Sequence, residues 1–304
     1  MRFTIEYPSE LPTAADDFLQ PGVLREVARR AEAAGFSAIA LSEHPAPSVK
    51  WRRSGGHNTL DPIAALSFMA AATSSIALMT NLYVLPFRNP YLAAKALGSL
   101  DLLSGGRLIA GVGAGYLRSE FAALGVDFDS RARLLDEALI ALRSIWTDPD
   151  TPVSGAGFAA VGPTWLQRPA QRPHPPIWIG GNGTAALRRV VDHGGGWMPI
   201  IAPAAMATTM RTAAIETTAQ FGAAVRRLRD RLEDAGREPT SVDVQVVCPH
   251  VDLDDPASLR QTIDYLGELA DHGATWAVVH TDGSSPAAAV DHLTAFGQAV
   301  ITPT

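Results

Sequence analysis

Eight short apolar runs recur along this chain, each followed by a stretch with helical spacing. The runs cover 2–7, 37–41, 76–84, 107–112, 176–180, 196–200, 242–248 and 275–281. Between them, apolar residues return every three or four positions: Val23, Leu24, Val27, Ala28 and Ala31; Leu134, Leu135, Ala138, Leu139, Leu142 and Ile145; Leu259, Ile263, Leu266 and Leu269. That spacing marks one face of a helix. Strand and helix alternating with mostly short links predict a parallel sheet, and eight such units favour closure into a (β/α)8 barrel.

The punctuation agrees. Asp61-Pro62, Asn89-Pro90, Asp255-Pro256 and Ser285-Pro286 each place a capping side chain before a proline at the first helical position. Gly35, Gly194 and Gly273 stand where helices end and a left-handed cap is wanted. With 304 residues, 47% of them hydrophobic, the chain has core enough for one barrel domain over 1–304. Two stretches break the rhythm and read as insertions: about 148–175, rich in Pro and Gly, and about 201–240, a long helical segment rich in Ala and Arg.

Net charge is −6 with no basic run, which argues against nucleic acid as a partner. Cys248 is the lone cysteine, so neither a disulfide framework nor a thiolate metal cluster is expected, and no metal site is read from the histidines. The start, MRFTIEYPSE, lacks the pattern of a secretory leader, and no apolar run is long enough to span a membrane. A soluble, cytoplasmic protein is expected.

In such a barrel, chemistry sits where strands end. Strand four runs into Gly113-Ala114-Gly115 and an aromatic residue, Tyr116. Glycines there let backbone approach something bulky, which suggests a flat ligand over the mouth. Strand five ends at Gly180-Gly181-Asn182-Gly183, with a helix starting at Thr184. Free N–H groups at a helix start attract phosphate; the bland alternative is an ordinary turn. Neither segment fits a Walker or a dinucleotide fingerprint. His44 follows strand two, placed to donate to a ligand, to move a proton, or to make a structural hydrogen bond. Glu43 beside it reads as structural. His250 and His280 fall near strand ends within reach of the mouth; His57, His174, His272 and His292 read as surface or loop residues. HExxH and GxSxG are missing, which disfavours metallohydrolase and serine hydrolase chemistry.

Three segments, AIALSEHPAP (38–47), the stretch 76–128 and PHPPIWIGGNGTAALRRVVDHGGGW (173–197), together resemble the bacterial luciferase-like flavin and deazaflavin oxidoreductases. Within that superfamily, 76–128 is most similar to the branch using coenzyme F420. The resemblance implies a barrel with the cofactor ring over its mouth and His44 beside that ring. It implies a non-proline cis peptide at Asn81-Leu82 backing the ring, and Gly180, Gly181, Asn182 and Gly183 as the phosphate loop, with Gly196 and Trp197 approaching the phosphate. Gly113 and Tyr116 would lie near the cofactor, Tyr116 standing where some members carry an acidic proton donor. Tyr7 and Trp51 would wall the substrate; the loop Lys50 to Arg53 that carries Trp51 could cover the mouth and meet an anionic cofactor tail with its charges, the alternative being an ordinary solvated loop. The implied activity is hydride transfer between F420 and a small organic substrate by a homodimeric enzyme. The alternatives are an FMN-dependent monooxygenase served by a partner reductase, and a non-catalytic flavin-binding barrel.

Overall fold

The computed structural model describes residues 1–148 and 150–302; Pro149, inside the first insertion, and the last two positions of the 1–304 span lie outside the described residues. Eight parallel strands close on themselves: β1 (Arg2–Glu6), β2 (Ala38–Leu41), β3 (Ala77–Thr80), β4 (Leu108–Gly113), β5 (Ile177–Gly180), β6 (Gly196–Met198), β7 (Asp243–Val247) and β8 (Trp276–Val279). Closure comes from β1 pairing β8 in the register Phe3 with Ala277, and β3 pairing β4 with Leu78 opposite Leu108. The helices are α1 (Pro21–Ala33), α2 (Val49–Arg53), α3 (Pro62–Ala70), α4 (Pro90–Leu103), α5 (Arg118–Ala123), α6 (Arg131–Thr147), α7 (Thr184–His193), α8 (Ala204–Thr209), α9 (Thr218–Asp234), α10 (Pro256–Asp271) and α11 (Pro286–Phe296).

Of the five proline-led helices, α1 has no side-chain cap, and the four whose sequences set a capping residue before the proline are capped as those sequences require. Asp61, Asn89, Asp255 and Ser285 accept first-turn N–H groups of α3, α4, α10 and α11. Gly35 and Gly273 adopt positive φ at helix ends. Gly194 does not: its φ is −87° and ψ 141°, a correction to the expected left-handed cap. A Cβ there would lie 2.9 Å from the Val190 backbone, so close approach is what the glycine permits.

The core has two layers. Leu24, Val27, Leu97, Leu139, Leu142, Val190 and Leu269 pack between helices and strands. Inside the barrel lie Ala38, Ala40, Met79, Ile109, Trp178, Met198 and Trp276. Trp178 and Trp276 meet edge to face at 5.2 Å, and the Arg2 guanidinium lies over the Trp276 ring at 4.7 Å. A buried Thr4 hydroxyl donates to Gln245 at 2.7 Å within this interior.

Three expectations change. The run 76–84 is not one strand: it breaks at a cis Asn81-Leu82 peptide, after which Tyr83–Val84 rejoins β4. The segment 201–240 is not one helix: α8 and α9 are separated by a loop bridging Ile215 to Ala202. Ile263 is exposed on α10 rather than part of its buried face. Among its described residues, the other insertion holds a small hairpin, Ser154–Gly155 with Phe158–Ala159.

Candidate functional site

His44 leaves the end of β2 and turns over the barrel mouth. Its Nδ1 lies 3.3 Å from Oε2 of Glu120 on α5, and the two side chains are only 8% and 2% exposed. The other Glu120 oxygen accepts the Ala46 N–H at 3.4 Å. A carboxylate on Nδ1 selects the tautomer with the proton there and leaves Nε2 as the free ring nitrogen. Trp51 of α2 lies against the imidazole, ring centres 4.3 Å apart, and Tyr116 approaches it edge-on at 6.0 Å. Gly56 makes this possible, since a Cβ there would sit 2.4 Å from the Trp51 ring. Burial raises the Tyr116 phenol above its ordinary pKa, so it holds its proton.

Across the mouth, Glu6 at the end of β1 accepts from the Asn81 amide at 2.9 Å and meets His280 Nε2, just past β8, at 2.5 Å. Burial opposes charge on His280, but the Glu6 carboxylate wins and raises its pKa. Glu10 lies deeper. It accepts from the Ser42 N–H at 3.1 Å and the Thr59 hydroxyl at 3.0 Å, and His57 Nδ1 stands 3.8 Å away. Burial, with Glu6 nearby, pushes the Glu10 carboxyl up to about 8. His57 is therefore no surface residue: it packs edge-on to His44 at 5.3 Å, and burial lowers its pKa.

The glycines of β4 and β5 have a specific neighbour. A Cβ on Gly180 would lie 2.3 Å from a Leu82 methyl, and one on Gly113 would lie 2.8 Å from it. The bulky group these glycines admit is the Leu82 side chain, laid between them by the cis peptide. Leu82 is half-buried, so its remaining face is an apolar platform at the mouth.

The loop 180–183 and α7 form the second half of the site. Gly181 has φ 109°, and no atom stands within 4 Å of a Cβ built on Gly183. No side chain caps α7. Its first-turn N–H groups therefore have no side-chain acceptor, which suits an anion. The Gly181 N–H is spent on Met198 O, and that of Asn182 is donated to the Thr212 hydroxyl at 2.8 Å. Thr212 keeps its own proton free to donate. The Asn182 side chain is buried and binds Ile200 and Ala213 backbone. A phosphate-bearing flat cofactor fits these residues: open N–H groups and a hydroxyl for the phosphate, and the Leu82 face for the rings.

Several expected site residues act from behind. Tyr7 is fully buried and donates to Phe18 O at 2.7 Å, so it cannot wall a substrate. Gly196 leaves room for the Trp178 ring, 2.3 Å from where its Cβ would be. Trp197 is fully buried and donates Nε1–H to Gly181 O at 2.8 Å, holding the loop instead of touching a phosphate. Glu43 binds Val84 N at 2.7 Å and pairs with Arg88. His250 is exposed. Cys248 is buried, and burial pushes its thiol up to about 12. The residues the sequence did not expose are Glu120, Glu10 and Thr212. Only Glu120 left a signal, an acidic residue one helical turn past Tyr116.

A family model described as luciferase-like monooxygenase matches residues 1–295. The chain belongs to that family. Among luciferase-like relatives, it is 32% identical over 166 residues to an FMNH(2)-dependent dimethylsulfone monooxygenase of Pseudomonas putida, covering 53% of this chain and 44% of that protein. It is 31% identical over 182 residues to an F420-dependent glucose-6-phosphate dehydrogenase of Amycolatopsis mediterranei, covering 59% of this chain and 53% of that protein. The chain thus spans about half the length of these curated relatives. The fold is shared with monooxygenase RslO1 from Streptomyces bottropensis, at a TM-score of 0.79, 21% identity and 99% coverage of both chains. Luciferase-like proteins named in this way use either F420 or reduced FMN. Among the described residues, no helix is long and apolar enough to cross a membrane.

Proposed function

We propose that this chain transfers a hydride between coenzyme F420 and a small organic substrate. The observation that carries the proposal is that one end of the barrel holds both an uncapped α7 start for a phosphate and a buried His44–Glu120 pair. The likeness of 76–128 to the deazaflavin branch supports this cofactor, and an F420-dependent protein is among the relatives. When bound, F420 supplies a ring carbon that gives or takes a hydride. The protein supplies orientation and a dry mouth. Thr212 and the α7 N–H groups would hold the cofactor's phosphate, and Leu82 would offer the apolar surface for its rings. His44 Nε2 takes a proton from a substrate hydroxyl during oxidation or returns it during reduction, while Glu120 keeps the ring in place. Trp51 and Tyr116 wall the substrate and exclude water. Homodimerisation, which the resemblance implies, and a cytoplasmic location, expected from the sequence, belong to the same proposal.

The relative that uses reduced FMN favours a second reading, a monooxygenase working with a separate reductase. Cofactor fluorescence, followed as purified protein is titrated with F420 and with FMN, separates the two. Saturable F420 binding, with turnover of an alcohol, enone or imine, supports the first; tight FMN binding without F420 binding overturns it. F420 binding without turnover across that panel favours a non-catalytic barrel.

A further inference from the structure

We propose that Arg118, Arg131 and Arg211, gathered on the ring of Phe128, bind an anionic extension of the cofactor beyond its phosphate, a tail bearing carboxylates. The inference rests on the deazaflavin reading, and it names a feature that distinguishes the two candidate cofactors. FMN ends at its phosphate, whereas F420 continues through a phosphodiester into a chain of glutamates.

The three guanidinium carbons lie 4.2, 3.9 and 5.0 Å from the Phe128 ring centre, in the order Arg118, Arg131, Arg211. Like charges so placed repel, and the chain as a whole is negative, with net charge −6. Local compensation is thin. Asp129 accepts from Arg118 at 2.8 Å, while Asp127 is turned to the Ser130 hydroxyl and the Asp129 N–H. Arg131 finds the Phe128 carbonyl at 3.1 Å and Arg211 the Tyr116 carbonyl at 3.3 Å, neither of them an anion. Arg118 and Arg211 are exposed, with donors to spare. Burial and the neighbouring Arg211 lower the Arg131 pKa.

Position ties the cluster to the cofactor site. Arg211 immediately precedes Thr212, whose hydroxyl accepts the Asn182 N–H of the glycine loop. Its side chain reaches Tyr116, which faces His44. Arg131 opens α6, whose Ala132 carbonyl accepts from Arg189 of α7. The cations therefore stand beside the loop that would take the phosphate, on the Tyr116 side of the mouth. Arg211 holds a φ of 54°, a region disfavoured for a residue with a side chain. That conformation closes the turn after α8, where Arg211 N–H donates to Thr208 and Thr212 N–H to Ala207. The turn that seats Thr212 on the glycine loop therefore seats Arg211 at its rim.

The test compares dissociation constants of F420 bearing several glutamates and of its glutamate-free form, for wild type and for an R118Q/R211Q double variant. Both substituted residues are exposed, and thermal melting verifies folding. The expected result is a wild-type preference for the long tail of about tenfold at low salt, the scale that a few exposed charge pairs allow. It shrinks in 0.5 M NaCl and falls to about one in the variant. Equal affinity of both forms for wild type overturns the tail subsite while leaving the deazaflavin reading intact. An equal loss for both forms in the variant also overturns it, since the arginines would then be acting on the phosphate. FMN binding with no binding of either deazaflavin overturns the subsite and the reading together.

Discussion

Nδ1 of His44 lies 3.3 Å from Oε2 of Glu120, a residue 76 positions away on a different βα unit, with both side chains nearly sealed from solvent. The pair fixes one nitrogen of the imidazole and leaves the other for the reaction. Replacing Glu120 with Gln keeps an acceptor oxygen but lets the amide flip and present a donor, so the imidazole is no longer held in one orientation. We expect kcat to fall about 10- to 100-fold, within the range general acid–base groups contribute. F420 affinity is expected to stay within about threefold. A wild-type kcat for Glu120→Gln in a steady-state assay would remove Glu120 from the account.

Leu82 against Gly180 is a packing relationship with a clean double-mutant test. Gly180→Ala drives a Cβ to within 2.3 Å of a Leu82 methyl, and overpacking of that kind costs about 1–3 kcal/mol. Adding Leu82→Ala to the same chain should recover most of that loss, because the two residues share one contact. Denaturant titration of the two singles and the double measures the coupling. Strictly additive effects would mean that the glycine serves something other than Leu82.

Glu10 sets a pH dependence. Its ordinary value of 4.5 is pushed up to about 8 by burial and by Glu6. The folded chain then keeps a proton that the unfolded chain releases between those values, so stability falls as pH rises from about 4.5 through 8. His280, also raised, acts in the same direction above 6.5. His57, lowered by burial, acts in the opposite one. Glu10→Gln removes the largest of these slopes. Between pH 5 and pH 8, the wild type should lose roughly 1–3 kcal/mol relative to the variant. Parallel melting curves at the two pH values would show that Glu10 is not held protonated.

Much of this was legible in the sequence, for physical reasons. Barrel strands are buried on both faces, so they read as short apolar runs, and four helix starts carried both a cap and a proline. The break at Asn81-Leu82 was invisible to periodicity, because Leu82 and Tyr83 are as apolar as the strand around them; only the family resemblance carried it. The split between α8 and α9 was hidden by a run of Ala, Thr and Arg that is helix-compatible throughout, with the turn falling at Arg211 and Thr212. In the site, the strand-end positions of His44 and the glycine loop could be read directly, with their roles left open by the residues alone. Glu10 and Thr212 could not, and Glu120 left only its place one turn past Tyr116, since each reaches the mouth by a tertiary contact 30 or more positions away in sequence. Tyr7 erred in the other direction: a strand-end aromatic turned inward to Phe18.

The most direct test of the central claim is a crystal structure of the protein with F420 bound. The account predicts the phosphate on the first-turn N–H groups of α7 with Thr212 donating to it, the ring system on Leu82, and His44 Nε2 facing the ring. A phosphate elsewhere with the α7 start vacant, or rings seated away from Leu82 and His44, would contradict it.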